Sequence, residues 1–421
     1  MKKIIVMIAI MAMAMTVLAE FSAGFKFRSK MQMKNTWTGT SADTQYMNRF
    51  VNYRLRPYFG YKVNDMVSFK VMFEFGDTKF GTGGAAMGTD GKDVEIKHAY
   101  LNIVPNKTCN LRFGLQGYHD MHNLVIDKDL AGIKWDKKFG TVGVGIGWFA
   151  IADNGEGISY SNEETYSFGS TLVTADFGFA INDKMSAGLA AIVKLDSEQA
   201  GADSVAQNLA TTGMWFAPTF KGDFGMVKAE AEFAYNMKSM AYTSLVDGLD
   251  DLDEPDAENG FAFSLKTKTN LNEKSMIGVD FIFSSGDDDL EDDDAIANGY
   301  ESIGSYLTGP TKIMTEDAYD FFAGSETYGL MMPTLYFRYK LNKTVTLGGV
   351  FAYAMTMNEV GPDEATDIGM EFGVDGKLKL HDAVVVVPYA SFFMPGVAYT
   401  GSDDADADMQ MKFGITMKVK L

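Results

Sequence analysis

The strongest constraint on this chain is alternation. From Phe21 to Lys34, Phe21, Ala23, Phe25, Phe27, Met31 and Met33 interleave with Ser22, Gly24, Lys26, Arg28, Lys30, Gln32 and Lys34. A helix would scatter these residues around its circumference, whereas a strand sends them to two opposite faces, one apolar and one basic. The pattern recurs along the chain. Val67 to Phe75, Leu111 to Leu115, Val227 to Met237, Met331 to Leu341 and Met409 to Leu421 all alternate in the same way. Segments of about ten to fourteen residues suit a tilted strand that crosses a hydrocarbon layer with one face in lipid and the other in water.

The connections alternate as well. Short turns are expected at Val63-Asn64-Asp65, Pro105-Asn106-Lys107, Lys137-Lys138, Asn182-Asp183, Lys221-Gly222-Asp223, Asn270 to Lys274, Asn342-Lys343 and His381-Asp382. Long polar stretches fall near 35–45, 77–92, 118–130, 152–163, 196–212, 238–259, 285–328, 358–366 and 395–408. Eight turns interleaved with nine long loops give about 18 strands (16 to 18 allowing for boundaries) and place both chain ends on one side. The fold class is therefore all-β, a transmembrane antiparallel up-and-down β-barrel. Closure follows from physics, because an open edge in hydrocarbon would leave backbone groups without partners. Pro57, Pro218, Pro333 and Pro388 fall inside strand-like segments and need strand ends or bulges.

Residues 1–19 read as a cleavable signal peptide: Lys2 and Lys3, an apolar run, then Val17-Leu18-Ala19 before Glu20. Residues 20–421 form the barrel, and no later stretch holds about twenty uninterrupted apolar residues. The near-zero mean hydropathy fits, since only every second strand residue must face lipid. Export with this architecture implies the outer membrane of a Gram-negative-type bacterium, in contact with lipid and lipopolysaccharide. Monomer and homotrimer both remain open. The single cysteine, Cys109, excludes an internal disulfide framework.

Charge is partitioned. The net charge of -19 argues against nucleic-acid binding, and the acids crowd into the long loops: 247–258, the DDDLEDDD run of 287–294, and Asp403, Asp404, Asp406 and Asp408. The inward strand positions are basic. Lys26, Arg28, Lys30, Arg54, Arg56, Lys70, Arg112, Arg338 and Lys340 are the candidate lumen-lining cations, with Glu74 among them. Lys266, Lys268, Lys377 and Lys379 extend the series, and Glu230, Glu232, Asp280 and Glu371 partly offset it. Turning the 225–237 strand over would put Lys228 in lipid at a cost of about 2–4 kcal/mol at the midplane, so the facing is well determined.

The stretch from Asn48 to about Gln116 resembles bacterial outer-membrane porins of the alginate-export-like family. The resemblance is carried by Arg49, Arg54-Leu55-Arg56, Phe59 to Asp65, Phe73-Glu74-Phe75-Gly76-Asp77, Ala99-Tyr100-Leu101 and Arg112-Phe113-Gly114-Leu115-Gln116. It implies an eighteen-strand barrel with an arginine- and lysine-lined passage for an anionic solute. Barrels of this kind usually end in an aromatic residue, whereas this chain ends in Leu421.

Other features are weighed individually. Asp287, Asp289, Asp292 and Asp294 could hold Ca²⁺ or Mg²⁺. They lack the glycine and terminal glutamate of a dedicated Ca²⁺ loop, so a solvated acidic loop is the simpler reading and no cofactor is required. The second half of the 285–328 loop, with Tyr300, Tyr306, Tyr319, Phe321 and Phe322, is expected to fold over or into the mouth. His119 and His122, with Asp120 and Asp127, form an H-x-x-H cluster that reads as surface. His98 and His381 stand without company. Gly143, Gly145 and Gly147 leave one strand without inward side chains there, either widening the lumen or receiving a loop. No hydrolase, phosphate-loop or metalloprotease motif occurs, so an enzyme is not expected. The expected function is passive diffusion of small hydrophilic solutes, anions among them, through a basic-lined lumen. Export of an acidic polysaccharide and a structural or adhesion barrel without transport are the alternatives.

Overall fold

The computed structural model describes residues 20–36, 46–80, 94–151, 170–199, 207–244, 258–286, 299–304, 309–315, 328–360, 364–400 and 409–421. Residues 1–19 and the 287–294 acidic run lie outside them, as do Tyr306, Tyr319, Phe321 and Phe322.

Eighteen strands form one closed antiparallel sheet. The first half comprises β1 (Glu20–Thr36), β2 (Tyr46–Lys62), β3 (Val67–Phe80), β4 (Val94–Asn106), β5 (Cys109–His119), β6 (Asp127–Phe139), β7 (Val142–Ala150), β8 (Thr171–Asn182) and β9 (Met185–Gln199). The second comprises β10 (Gln207–Asp223), β11 (Val227–Ser244), β12 (Glu258–Asn270), β13 (Ser275–Ser284), β14 (Leu330–Lys340), β15 (Val345–Val360), β16 (Ala365–His381), β17 (Val384–Pro395) and β18 (Gln410–Lys420). A single helical turn, α1 (Val397–Thr400), follows β17. Each strand pairs with its chain neighbours, and β1 pairs with β18 from Lys26↔Lys420 to Lys34↔Lys412. The seam is finished by the last residue: the Phe25 N–H donates to the Leu421 carbonyl at 3.2 Å, and the Leu421 N–H donates to the Phe25 carbonyl at 3.1 Å.

Alternation settles the faces as the sequence predicts. Phe21, Met31, Phe59, Phe69, Phe177, Phe233 and Leu335 are exposed on the outside, while Gln32, Glu74, Glu232 and Lys412 are buried inside. The four prolines are accommodated without a register shift. Pairing lapses beside Pro57 toward β3, beside Pro218 toward β11, beside Pro333 toward β15 and beside Pro388 toward β16, and resumes in the same register. On its other side each proline stays paired, with Phe25, Leu189, Phe281 and Ile415 respectively. A missing N–H thus costs one ladder bond on one flank only.

The short turns share a device. The Asn64 side-chain oxygen accepts from the N–H groups of Met66 and Val67, both at 2.8 Å, and Asn272 and Asn342 do the same for the residues two and three ahead. Asn106, Asn182 and Asp223 cap one N–H each, two residues on. Such Asx turns satisfy backbone donors that the ladder leaves at its end. Two turns lie slightly beyond their expected positions. The β6–β7 turn is at 140–141, where Gly140 takes φ 59°, rather than at Lys137-Lys138. The β10–β11 turn is at 224–226, where Gly225 takes φ 87°. Positive φ favours glycine, and the preceding lysines remain in strands.

Candidate functional site

The inner wall divides by height and by side. In its loop-side half it carries an apolar cluster among buried polar groups: Phe149, Leu172, Ile192, Trp215, Met332 and Phe393 are buried there beneath two infolded segments. The first segment, 120–126, joins β5 to β6 and is shorter than the 118–130 expected. Asp120 organises it, its carboxylate accepting the N–H groups of Leu124 at 2.6 Å, Val125 at 3.2 Å and Ile126 at 2.7 Å. Its apolar tip is fully buried, and the His122 N–H donates to Glu232 on β11 at 2.6 Å.

The second segment comes from the long connection after β13, and the described parts do fold inward. Ile303 donates to the Val125 carbonyl at 2.8 Å, the Tyr300 hydroxyl donates to the Leu124 carbonyl at 2.9 Å, and the Trp215 indole N–H donates to the Glu301 carbonyl at 2.8 Å. On the far side, Glu371 of β16 accepts the N–H groups of Lys312, Ile313 and Met314 at 2.6, 3.0 and 2.7 Å, plus the Ser391 hydroxyl at 2.8 Å. Lys412 of β18, 1% exposed, donates to the Lys312 carbonyl at 2.7 Å. The loop is therefore fastened at the 120–126 segment and β10 by one part and at β16 and β18 by another. Charge-assisted hydrogen bonds to peptide groups are the strong kind.

The histidines depart from the expected surface cluster. His119 is exposed, whereas His122 is buried with Nε2 3.9 Å from Glu230 Oε2. Burial, with Lys266 nearby, lowers its pKa to about 4. Burial raises the Asp120 carboxyl against the pull of its backbone donors. His98 is not alone, since Nε2 lies 2.9 Å from Asp129; His381 accepts from the Ala383 N–H at 3.2 Å. The glycine strip receives neighbouring side chains rather than a loop: a Cβ on Gly145 would meet Asp136 and Asp176, and one on Gly147 would meet the Phe149 ring and Thr174.

In the turn-side half the wall carries charge. Across β4–β8 and β14–β16 cations and acids are joined. Arg112 lies 3.2 Å from Asp136, Lys134 lies 3.4 Å from Asp136 and 2.9 Å from Asp176, and Arg338 lies 2.7 Å from Asp375. One rung across β10–β13 reads Lys221, Glu230, Lys266, Asp280 in register, alternating in sign. The wall of β18, β1 and β2 is different. Two successive rungs across these three strands read Lys420, Lys26, Arg56 and Lys418, Arg28, Arg54, so within them register sets cation beside cation. Glu74 borders them, paired with Arg56 and 3.9 Å from Arg54. Lys30 faces Asn52 and Thr416 in the next rung, Lys70 stands beside Gly60, and Lys340 is exposed at the turn end of β14. The two cation rungs, not Lys30, Lys70 or Lys340, line a recess of about 720 Å³.

The sequence reading omitted Lys418, Lys420, Lys134, Asp136, Asp176 and Asp375 from the wall. Alternation with Met417 and Val419 marks the first two. For Glu371 and Lys412 the inward position was legible, but not the loop segment each holds.

The barrel as a whole defines the class: an antiparallel, lipid-faced outer-membrane β-barrel of eighteen strands. The solved structures agree on the fold. The chain is similar to Acinetobacter baumannii OccAB1 (10% identity, 95% of this chain and 96% of that one, TM-score 0.56). It is also similar to Pseudomonas aeruginosa OccK8, or OprE (9%, 96% and 98%, TM-score 0.55), and to OccK3, or OpdO, of the same organism (10%, 95% and 96%, TM-score 0.53). No protein-family model matches the chain, and no curated protein is similar to it.

Proposed function

We propose that this protein is a porin-like channel of the outer membrane that passes small hydrophilic solutes with a preference for anions. Its apolar outer face would sit against lipid and lipopolysaccharide. The observation that carries the reading is the pair of all-cation rungs on one side of the lumen. In a wet passage with low-dielectric walls, such a surface raises local anion concentration. The resemblance of residues 48–116 to alginate-export-like porins is compatible with it, since Arg54, Arg56 and Arg112 lie on that inner face. The loop fastened at both sides of the lumen favours small solutes over a polymer thread. We read the lumen as a conduit rather than an active site.

The test is single-channel recording of the refolded protein in a planar bilayer under a salt gradient. Stable steps with an anion-side reversal potential are expected, and replacing Lys26, Arg28, Lys418 and Lys420 by Gln should move that potential toward zero. Folded barrel that gives no steps would overturn the channel reading in favour of a plugged or structural barrel.

A further inference from the structure

Asp120 of the infolded 120–126 segment and Glu232 of β11 bring two carboxyl groups into one buried place, at 6% and 0% exposure. Asp120 accepts the N–H groups of Leu124, Val125 and Ile126 with its two oxygens, and Glu232 Oε2 accepts the His122 N–H. Glu232 Oε1 meets no N–H or hydroxyl donor among the described residues. What lies within hydrogen-bond reach of the Glu232 carboxyl is the carboxyl of Asp120. The charged and titratable groups packed around the pair have other partners. Lys221 of β10 pairs with Glu230, and Lys266 of β12 stands in register between Glu230 and Asp280 of β13. The Tyr118 hydroxyl of β5 donates to Asp176, Asp127 of β6 accepts from Asn123 at 3.2 Å, Lys128 lies against Gly304, and Glu301 pairs with Lys238. His122 is uncharged near neutrality, since burial lowers its pKa to about 4. Two carboxylates in contact away from water cannot both stay ionised, and one proton between them turns repulsion into a charge-assisted hydrogen bond. Burial pushes the Asp120 carboxyl in that direction.

We propose that a proton shared by Asp120 and Glu232 latches the 120–126 segment inside the lumen, and that the latch releases as the medium turns alkaline. The inference concerns regulation of the passage, and for its effect on conduction it rests on the channel reading. The docked pair holds a proton that two separated, hydrated carboxylates give up. Docking is therefore fully stable at neutral and mildly acidic pH, and weakens about tenfold per pH unit once the pair begins to lose that proton. Two bare charges would then be buried side by side, and the segment relieves them by swinging into water. Tyr300 and Ile303 lose their hold with it, because they donate to the Leu124 and Val125 carbonyls. The other anchor is built differently. Both oxygens of Glu371 have donors, from Lys312, Ile313, Met314 and Ser391, so that part of the loop stays in place.

Thiol labelling of the refolded full chain in detergent tests this without requiring conduction. In a Cys109→Ser background, Val125→Cys reports on the latched segment and Ile313→Cys on the Glu371 anchor, both positions being buried. Each is labelled with a methanethiosulfonate reagent from about pH 6 to about pH 9, between the carboxylate and lysine ranges, and each rate is divided by that of free cysteine at the same pH. Heat-modifiable gel migration checks that every variant is folded. The Val125→Cys ratio is expected to rise at least about tenfold across that span while the Ile313→Cys ratio stays flat. Adding Glu232→Gln should hold the Val125→Cys ratio low throughout, because the amide donates to Asp120 and accepts from His122 with no proton to lose. Three results would each overturn the latch: a flat Val125→Cys ratio, an equal rise at Ile313→Cys, or Glu232→Gln leaving the rise unchanged. Anion-selective steps with flat labelling would remove this inference and leave the channel. A labelling rise without conductance would do the reverse.

Discussion

Two walls of one lumen are built from the same residue types to opposite ends. Across β10–β13, sign alternates from strand to strand, and Lys221 ion-pairs with Glu230. Across β18, β1 and β2, Lys420–Lys26–Arg56 and Lys418–Arg28–Arg54 repeat one sign. Favourable and unfavourable cross-strand charge pairs are each worth roughly 0.2–1 kcal/mol. The first wall therefore gains from its cross-strand pairs, while the second sets like charges side by side across its strands. The difference teaches that charge in a barrel lumen has two separable uses: sewing strands together, and holding a field for something that is not part of the protein.

The contrast can be broken from either side. Glu230→Lys sets three cations in a row along the alternating rung, removing two favourable pairs and adding two repulsions. Its urea unfolding in lipid or detergent should show a loss of about 1–3 kcal/mol. Lys26→Glu makes the opposite wall alternate, and should gain about 0.5–2 kcal/mol while shifting the reversal potential away from the anion side. A stability loss in that variant would mean that the cations are already matched within the fold.

Acid tests the alternating wall through the histidine that leans on it. His122, docked against Glu230, has its pKa lowered to about 4 from 6.5 by burial and by Lys266. The unfolded chain therefore binds a proton there that the folded chain refuses. Stability from this group is present above about pH 6.5 and is lost as pH falls toward 4. Relative to His122→Asn, the unmodified protein should lose stability across that window, as read from parallel denaturant curves. The smallest effect is expected at a turn that belongs to neither lumen surface: Asn272→Ala frees two backbone donors at the end of β12, and should cost about 0.5–1 kcal/mol with no change in ion selectivity.

Much of this was legible in the residues. Period-two patterning in 21–34 and 409–421 places Lys26, Arg28, Lys418 and Lys420 on one face, since a one-residue slip would drive them into lipid. The asparagines of the short turns mark the ends of strands. What escaped was long-range. Nothing near 371 says that Glu371 grips the peptide groups of 312–314, and nothing near 120 says that Asp120 and its apolar loop pack against β11. The inward apolar residues Phe149, Leu172 and Trp215 follow the alternation poorly for a wet lumen, and only the infolded segments explain them.

By itself the sequence determined the strand architecture, the facing of nearly every strand residue and the side on which the chain ends meet, because each follows from a repeating local cost of misplacing polar groups in lipid. The tertiary structure alone decided which charges stand opposite one another. Register and closure bring the first strand beside the last, across nearly the whole length of the chain, and so turn scattered lysines and arginines into a lattice. Electrostatic energy depends on distances between groups, and those distances do not exist until the barrel closes.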